Sequence, residues 1–289
     1  MTVAEARKFG RELLERNPEF KISGYADASL LLMHALFCTR SELLAYPEKI
    51  LTPDQEHFYR GFLAERDSGR PVQYITGEQE FWGLPFTVTS DVLIPRPETE
   101  HLVEAALERL QQYAAPRIVD VGTGSGAIAI ALAYALRNMQ PLTQITALEI
   151  SVAALAVAQE NAERNGVGEK IRWMKSDLLA GVQGESFELI VSNPPYIADA
   201  ERETLATEVR EHEPALALFS GPTGLEIYER LIPQAEQVLT HDGWLMMEIG
   251  WTQQPAIAKL LERWRSVEFL PDLQGHLRVV CAQQPAEVI

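Results

Sequence analysis

Two short segments of this chain carry residue types at spacings that suit chemistry. The first is Asp120-Val121-Gly122-Thr123-Gly124-Ser125-Gly126, set between a strand-like apolar run, Ile118 to Val121, and a helix-like run, Ala127 to Leu136. Glycines at this spacing let the backbone turn sharply and approach a ligand that a Cβ would hold off. The helix start behind them offers unpaired N–H groups. A strand, a glycine loop and a helix in this order bind nucleotide-like ligands at the strand ends of open α/β sheets. The pattern G-x-G-x-G brings the third glycine one residue earlier than the dinucleotide fingerprint does. Asp120 also places an acid where a pyrophosphate would be repelled, but where an ammonium group is welcome. Glu149, at the end of the next predicted strand, is placed to accept from both ribose hydroxyls, and Asp177, after a third strand, to reach an adenine edge. Ribose, adenine and an amino-acid tail describe S-adenosyl-L-methionine better than a nicotinamide dinucleotide. The expected cofactor residues are Gly122, Thr123, Gly124, Ser125, Gly126, Glu149 and Asp177, with Asn193 beside them.

The second segment is Ser192-Asn193-Pro194-Pro195-Tyr196, directly after a fourth predicted strand. Two prolines after Asn193 fix a rigid, extended corner and leave polar groups there without regular partners. Such a corner suits methylation of a planar NH2 group, whose lone pair is delocalised and weakly nucleophilic. Asn193 Oδ1 and the Pro194 carbonyl can accept its two N–H bonds, and Tyr196 can stack on its plane. Acceleration would then come from positioning and electrostatics rather than from a strong base. Asn193, Pro194 and Tyr196 are the expected catalytic residues, with Pro195 completing the substrate-binding set. The chemistry alone admits two substrates, a side-chain amide or an exocyclic amine of a nucleobase such as adenine. The six histidines form no metal-ligand spacing, so no metal is expected.

These segments need elements to hold them. Residues 1–72 read as a bundle of three short helices. Thr2 with Glu5 and Thr52 with Gln55 form capping boxes, Asp27 is placed to cap the run Ala28 to Phe37, and Gly69 follows the third helix. Residues 73–97 are aromatic, β-branched and punctuated by glycine, which predicts a linking β-hairpin from Gln73 through Val88. In it Trp82 and Phe81 read first as buried hairpin anchors and second as lining for a substrate groove. Residues 98–289 then alternate. Helices are predicted at Glu98–Gln112, Ala127–Leu136, Val152–Asn165 and Leu225–Leu239. Strands are predicted at Ile118–Val121, Gln144–Glu149, Ile171–Lys175, Leu189–Ser192 and Trp244–Ile249. Such alternation predicts an α/β fold, a doubly wound, mostly parallel Rossmann-like sheet.

Composition narrows the partners. With 41 acidic and 25 basic residues the formal net charge is −16. This disfavours affinity built on nucleic-acid phosphates or anionic membranes. Residues 1–75 hold 11 acidic and 10 basic side chains and residues 76–289 hold 30 and 15, so the long C-terminal part carries the field and would steer a basic protein partner. No basic, aromatic-interleaved insertion of the kind that reads nucleic acid is present. The charged, amphipathic start reads as no secretory signal, and Cys38 and Cys281 read as two reduced thiols, so a cytoplasmic protein is expected.

The glycine loop with Glu149 resembles the cofactor site of class I S-adenosylmethionine methyltransferases, and NPPY is similar to the signature of their amino-methylating branch. PVQYITGEQEFWGLPFTVTSDVLIPRPETE (71–100), VSNPPYI (191–197), EVREHEPALAL (208–218) and GLEIYERLI (224–232) resemble the HemK/PrmC family. That resemblance runs from about residue 27 to about residue 281. It implies methylation of the side-chain amide nitrogen of the glutamine in the GGQ motif of class I peptide-chain release factors. It also implies a cofactor loop at Gly122 to Gly126, ribose binding by Glu149 (where Asp is commoner), and a substrate clamp at Asn193 to Tyr196. The release factor is then the expected partner, with the N-terminal bundle as its docking module and no direct nucleic acid. A monomer is expected.

Overall fold

The computed structural model describes residues 1–285. The chain forms two compact units, one of Met1–Glu78 with Thr204–His212, the other of the remainder.

The first unit holds helices α1 (Val3–Leu14), α2 (Gly24–Leu36), α3 (Arg40–Ala45), α4 (Pro53–Asp67) and α5 (Val72–Thr76). Three of them open on complete capping boxes: Thr2 with Glu5, Thr39 with Glu42, and Thr52 with Gln55. Each box satisfies two backbone donors that a helix start would otherwise leave open, and losing such a cap costs about 1 kcal/mol. Tyr59 is fully buried at the centre and donates to the carbonyls of Ala6 and Ala28, both at 3.2 Å. Gly10 admits its hydroxyl, since a Cβ there would lie 2.0 Å from the Tyr59 oxygen.

Two expectations are corrected here. Asp27 is not a helix cap: α2 starts three residues earlier, and the Asp27 carboxylate accepts from the buried Arg66 Nε at 2.8 Å. Arg66 also pairs with Glu208 at 2.7 Å. A buried guanidinium needs such partners, and the local sequence around Asp27 does not reveal a partner 39 residues away. Likewise Gln73 to Thr76 are helical rather than part of a hairpin, closing on Gly77 at φ +75°.

The hairpin is shorter, β1 (Glu78–Phe81) and β2 (Leu84–Thr87), joined by Trp82 and Gly83 at φ +57° and +67°. Two positive φ values give the two-residue turn whose twist matches the flanking strands. Phe81 and Phe86 are buried and meet edge-on.

The second unit continues with α6 (Glu100–Leu110), β3 (Arg117–Val121), α7 (Ala127–Leu136), β4 (Gln144–Glu149), α8 (Val152–Arg164), β5 (Ile171–Lys175) and β6 (Phe187–Ser192). After α9 (Thr207–His212), which belongs to the first unit, come α10 (Ala215–Leu218), α11 (Glu226–Val238), β7 (Leu239–Glu248), α12 (Gln254–Leu260), β8 (Arg265–Pro271) and β9 (Leu277–Gln283). The sheet order is β5-β4-β3-β6-β7-β9-β8. The first five strands run parallel, and β9 and β8 are antiparallel additions. The alternation read from the sequence does not extend to that terminal pair.

Both faces of the sheet are covered. Ile118, Ala147, Leu189 and Met246 face a core with α6 and α7. Val119, Leu148, Ile190 and Met247 face a core with α11 and α12. Alternate residues of each strand therefore enter opposite cores, which explains why these strands read as unbroken apolar runs. A fully buried aliphatic side chain contributes roughly 1.5–3 kcal/mol. The order reverses between β3 and β6, so a crevice opens at their carboxyl ends, where such sheets bind ligands.

Candidate active site

At that crevice lies a cavity of about 440 Å³ lined, among others, by Gly122, Gly124, Glu149, Asp177, Asn193 and Pro194. Thr123, Ser125 and Pro195 also line it. The two motifs, 67 residues apart from Gly126 to Asn193, are thus brought to one wall because β3 and β6 are neighbours. Ser192 Oγ ties the two strand ends together by donating to the Val121 carbonyl at 2.7 Å.

The glycine loop is held from behind. A Cβ at Gly124, φ +55°, would meet nothing within 4 Å, so this residue leaves its space to the cavity. Gly126, φ +84°, does something else. A Cβ there would stand 2.8 Å from Ile130 Cδ1 and 3.2 Å from Ala158 Cβ, so its bareness lets α7 pack on α8. Asp120 is fully buried and is not among the lining residues. Its Oδ2 accepts from the Thr123 hydroxyl at 2.6 Å and from the Ala129 N–H at 3.2 Å, bracing the loop against the start of α7. Burial pushes its carboxyl up to about 7, against the lowering effect of those two donors. Asn161, also fully buried, donates to the Ser125 carbonyl at 3.0 Å and bonds Thr87 through both its amide groups. It joins the hairpin to the glycine loop.

Glu149 has both carboxylate oxygens anchored. Oε2 accepts from Gly124 N–H and Oε1 from Ser151 N–H, each at 2.9 Å. Each oxygen keeps lone-pair capacity for one further donor, which fits a vicinal diol. Asp177 lines the cavity with its carboxylate paired to Arg230 at 2.6 Å. The residue set thus suits a nucleoside carrying an amino-acid tail: bare backbone at the loop, a double acceptor at Glu149, and two lining arginines, Arg96 and Arg230, each already paired with a carboxylate.

At the other motif, Asn193 Nδ2 donates to Thr99 Oγ1 at 3.1 Å, and Thr99 donates to Glu248 Oε2 at 2.6 Å. Tyr196, read from sequence as a stacking ring, is not among the residues lining the cavity. Its ring packs towards the α11 core, and its hydroxyl donates to Glu248 Oε1 at 3.4 Å. The corner is backed by Gln253, which donates to the Tyr196 carbonyl at 2.9 Å, and by Gly224, where a Cβ would approach that same oxygen to 2.5 Å. Arg96 lines the cavity and is paired with the buried Glu213.

Sequence reasoning misses Thr99, Glu248 and Asn161. The available signal was an acid, Glu248, at the end of a predicted buried strand, where charge needs a reason. Among the described residues no group of His, Cys, Asp and Glu could hold a metal ion, and no helix is long and apolar enough to cross a membrane.

Comparison with known proteins identifies the family. Residues 5–77 match the family described as PrmC N-terminal domain, and residues 100–216 the Methyltransferase small domain. The release factor glutamine methyltransferase of Koribacter versatilis is 43% identical over 259 residues, 89% of this chain and 90% of its own. The chain belongs to the release factor glutamine methyltransferase family. Further members are those of Rhodopirellula baltica, 39% identical over 266 residues (89% of this chain, 88% of its own), and Chlorobaculum tepidum, 46% identical over 231 residues (77% of each). Among solved structures, the hMettl16 catalytic domain, in complex with an RNA hairpin, aligns with TM-score 0.56 at 19% identity over 79% of this chain and 83% of its own. At that identity the likeness shows only that these methyltransferases share the fold.

Proposed function

We propose that this enzyme methylates the side-chain amide nitrogen of the glutamine in the GGQ motif of class I peptide-chain release factors, with S-adenosyl-L-methionine as donor. The observation that supports it most is the juxtaposition of Glu149 and the glycine loop with Asn193 around one cavity. The family supplies the substrate.

Gly122 to Gly126, Glu149 and Asp177 hold the cofactor in this reading, Glu149 through its two free lone-pair positions. When bound, S-adenosyl-L-methionine supplies an electrophilic methyl group and leaves as the neutral thioether. Asn193 Oδ1 and the Pro194 carbonyl accept the two N–H bonds of the substrate amide, fixing its nitrogen. They also stabilise positive charge on that nitrogen as its resonance is lost, and one N–H proton leaves to solvent after transfer. The rigid Pro194-Pro195 corner keeps these acceptors in place without reorganisation. Tyr196 acts from behind, by holding Glu248.

Residues 1–72 serve as the docking module for the protein substrate, residues 73–97 as linker and residues 98–289 as the transferase. Phe37 and Ile22 are exposed on the first unit and offer apolar contact area there. A release factor is a translation component, so the enzyme acts in the cytoplasm. The net charge of −16 disfavours direct nucleic-acid binding.

Mass spectrometry of a release factor incubated with enzyme and S-adenosylmethionine tests this. A single added methyl on the GGQ glutamine is expected. No added methyl there under conditions where the cofactor binds, or transfer to RNA or DNA instead, overturns it.

A further inference from the structure

An asparagine presents nearly identical shapes by its oxygen and its NH2, so its partners decide which one faces a ligand. For Asn193 that decision is made two bonds away. Asn193 Nδ2 meets Thr99 Oγ1 at 3.1 Å, and Thr99 Oγ1 meets Glu248 Oε2 at 2.6 Å. Thr99 and Glu248 are both buried, at 4% and 2% exposure, so water does not substitute for either partner. Three separate elements converge on this chain: the turn before α6, the end of β6 and the end of β7.

A hydroxyl has one proton to give. An ionised carboxylate only accepts, so Thr99 must donate to Glu248, which leaves only its oxygen lone pairs for Asn193. The amide therefore turns its NH2 to Thr99 and its Oδ1 to the cavity. A proton on Glu248 Oε2 would reverse the chain. Thr99 would accept from Glu248 and donate to Asn193, and the amide would turn its NH2 to the cavity, donor against donor with the substrate amide.

We propose that Glu248, acting through Thr99, is a positioning residue that orients the Asn193 amide for the substrate. This rests on the substrate-binding role given to Asn193 above. Burial raises the carboxyl of Glu248 above the usual carboxylate range, and Glu98 on the preceding turn adds to that. Donation from Thr99 and Tyr196 and the charge of Arg278 on β9 oppose it. Tyr228 on α11 completes the surroundings by donating to the Glu248 carbonyl at 2.8 Å. With Glu248 ionised the orientation holds, and it is lost when acid protonates the group.

The test compares wild type with Thr99→Val, Thr99→Ser and Glu248→Gln. It measures kcat and KM for an unmethylated release factor across pH, and cofactor affinity by calorimetry. Thr99→Val should lower kcat/KM at least about tenfold, the scale of one lost orienting hydrogen bond. It should leave cofactor affinity within about threefold, and Thr99→Ser should restore turnover. Wild type should lose kcat on acidification, whereas Thr99→Val and Glu248→Gln should lack that acid limb because nothing titratable then speaks to Asn193. Should Thr99→Val fail to fold, Glu248→Gln alone decides the acid limb. Unchanged kcat/KM in Thr99→Val, an acid limb surviving in either variant, or loss of cofactor affinity in step with turnover overturns the proposal. A wild type that does not methylate the release factor overturns the function itself, which is a distinguishable result.

Discussion

Replacing Glu149 by Gln probes the cofactor site most directly. Glu149 is 7% exposed and each carboxylate oxygen already accepts a backbone N–H at 2.9 Å, one from Gly124 and one from Ser151. Glutamine keeps the shape but turns one oxygen into a donor. Whichever way the amide sits, one of those N–H groups then faces an N–H, and one ribose hydroxyl loses its acceptor. A hydrogen bond to a charged group is worth roughly 1.5–3 kcal/mol, and water cannot replace it at this burial. The ribose share weakens cofactor binding by about 1.5–3 kcal/mol, which is about 13- to 150-fold in Kd. The orphaned backbone donor appears instead as lower stability of the free protein. Titration calorimetry with S-adenosylmethionine and its demethylated thioether reads the first effect, and denaturant unfolding the second. Glu149→Asp keeps the charge but withdraws it by one methylene, so its loss should be intermediate. A folded Glu149→Gln protein binding the cofactor within about threefold of wild type would refute the assignment of Glu149 to the ribose.

Other outcomes follow from the same geometry. Asn193→Ala should abolish detectable turnover while changing cofactor affinity less than about tenfold, because the glycine loop and Glu149 remain intact; parallel calorimetry and mass spectrometry check this. Gly126→Ala should destabilise the fold by about 2–3 kcal/mol in denaturant unfolding, since its φ of +84° is strained for a side chain and the new methyl would press on Ile130 and Ala158. Burial raises Asp120 from 3.8 to about 7, so between those values the folded protein holds a proton that the unfolded chain has released. Stability contributed by this group is therefore full below about pH 4 and is lost as pH rises towards 7, with a slope up to ~1.4 kcal/mol per pH unit. Asp120→Asn should flatten that slope in pH-dependent thermal unfolding, and an unchanged slope would assign it to other groups.

Much of the site was legible because it is written in local chemistry. Glycines at 122, 124 and 126 announce a close backbone approach, and Asn193-Pro194-Pro195 announces a rigid polar corner, wherever they lie in the fold. The parallel strands were legible because both their faces are buried, which makes each a short apolar run with a helix on either side. Misreadings occurred where a residue answers to a distant partner. Asp27 sits at a plausible cap position but pairs with Arg66 across the bundle. The β-rich composition of Gln73 to Thr76 was overridden when a helical turn from Pro71 let Val72 join the bundle core.

Taken alone, the sequence determined the alternation of strands and helices from β3 to β7, the two chemical motifs and the acidic field, because capping, periodicity, backbone restriction and charge act within a few residues or simply add. The tertiary structure decided which surfaces those motifs share. Pairing of β3 with β6 sets Gly124 beside Asn193, and burial at the ends of β6 and β7 links Asn193 through Thr99 to Glu248. It also took Tyr196 out of the cavity lining and gave its hydroxyl to that same acid. Hydrogen-bond direction in a buried network depends on every partner at once, and those partners, 94 and 149 residues apart in the chain, meet only when the sheet is assembled.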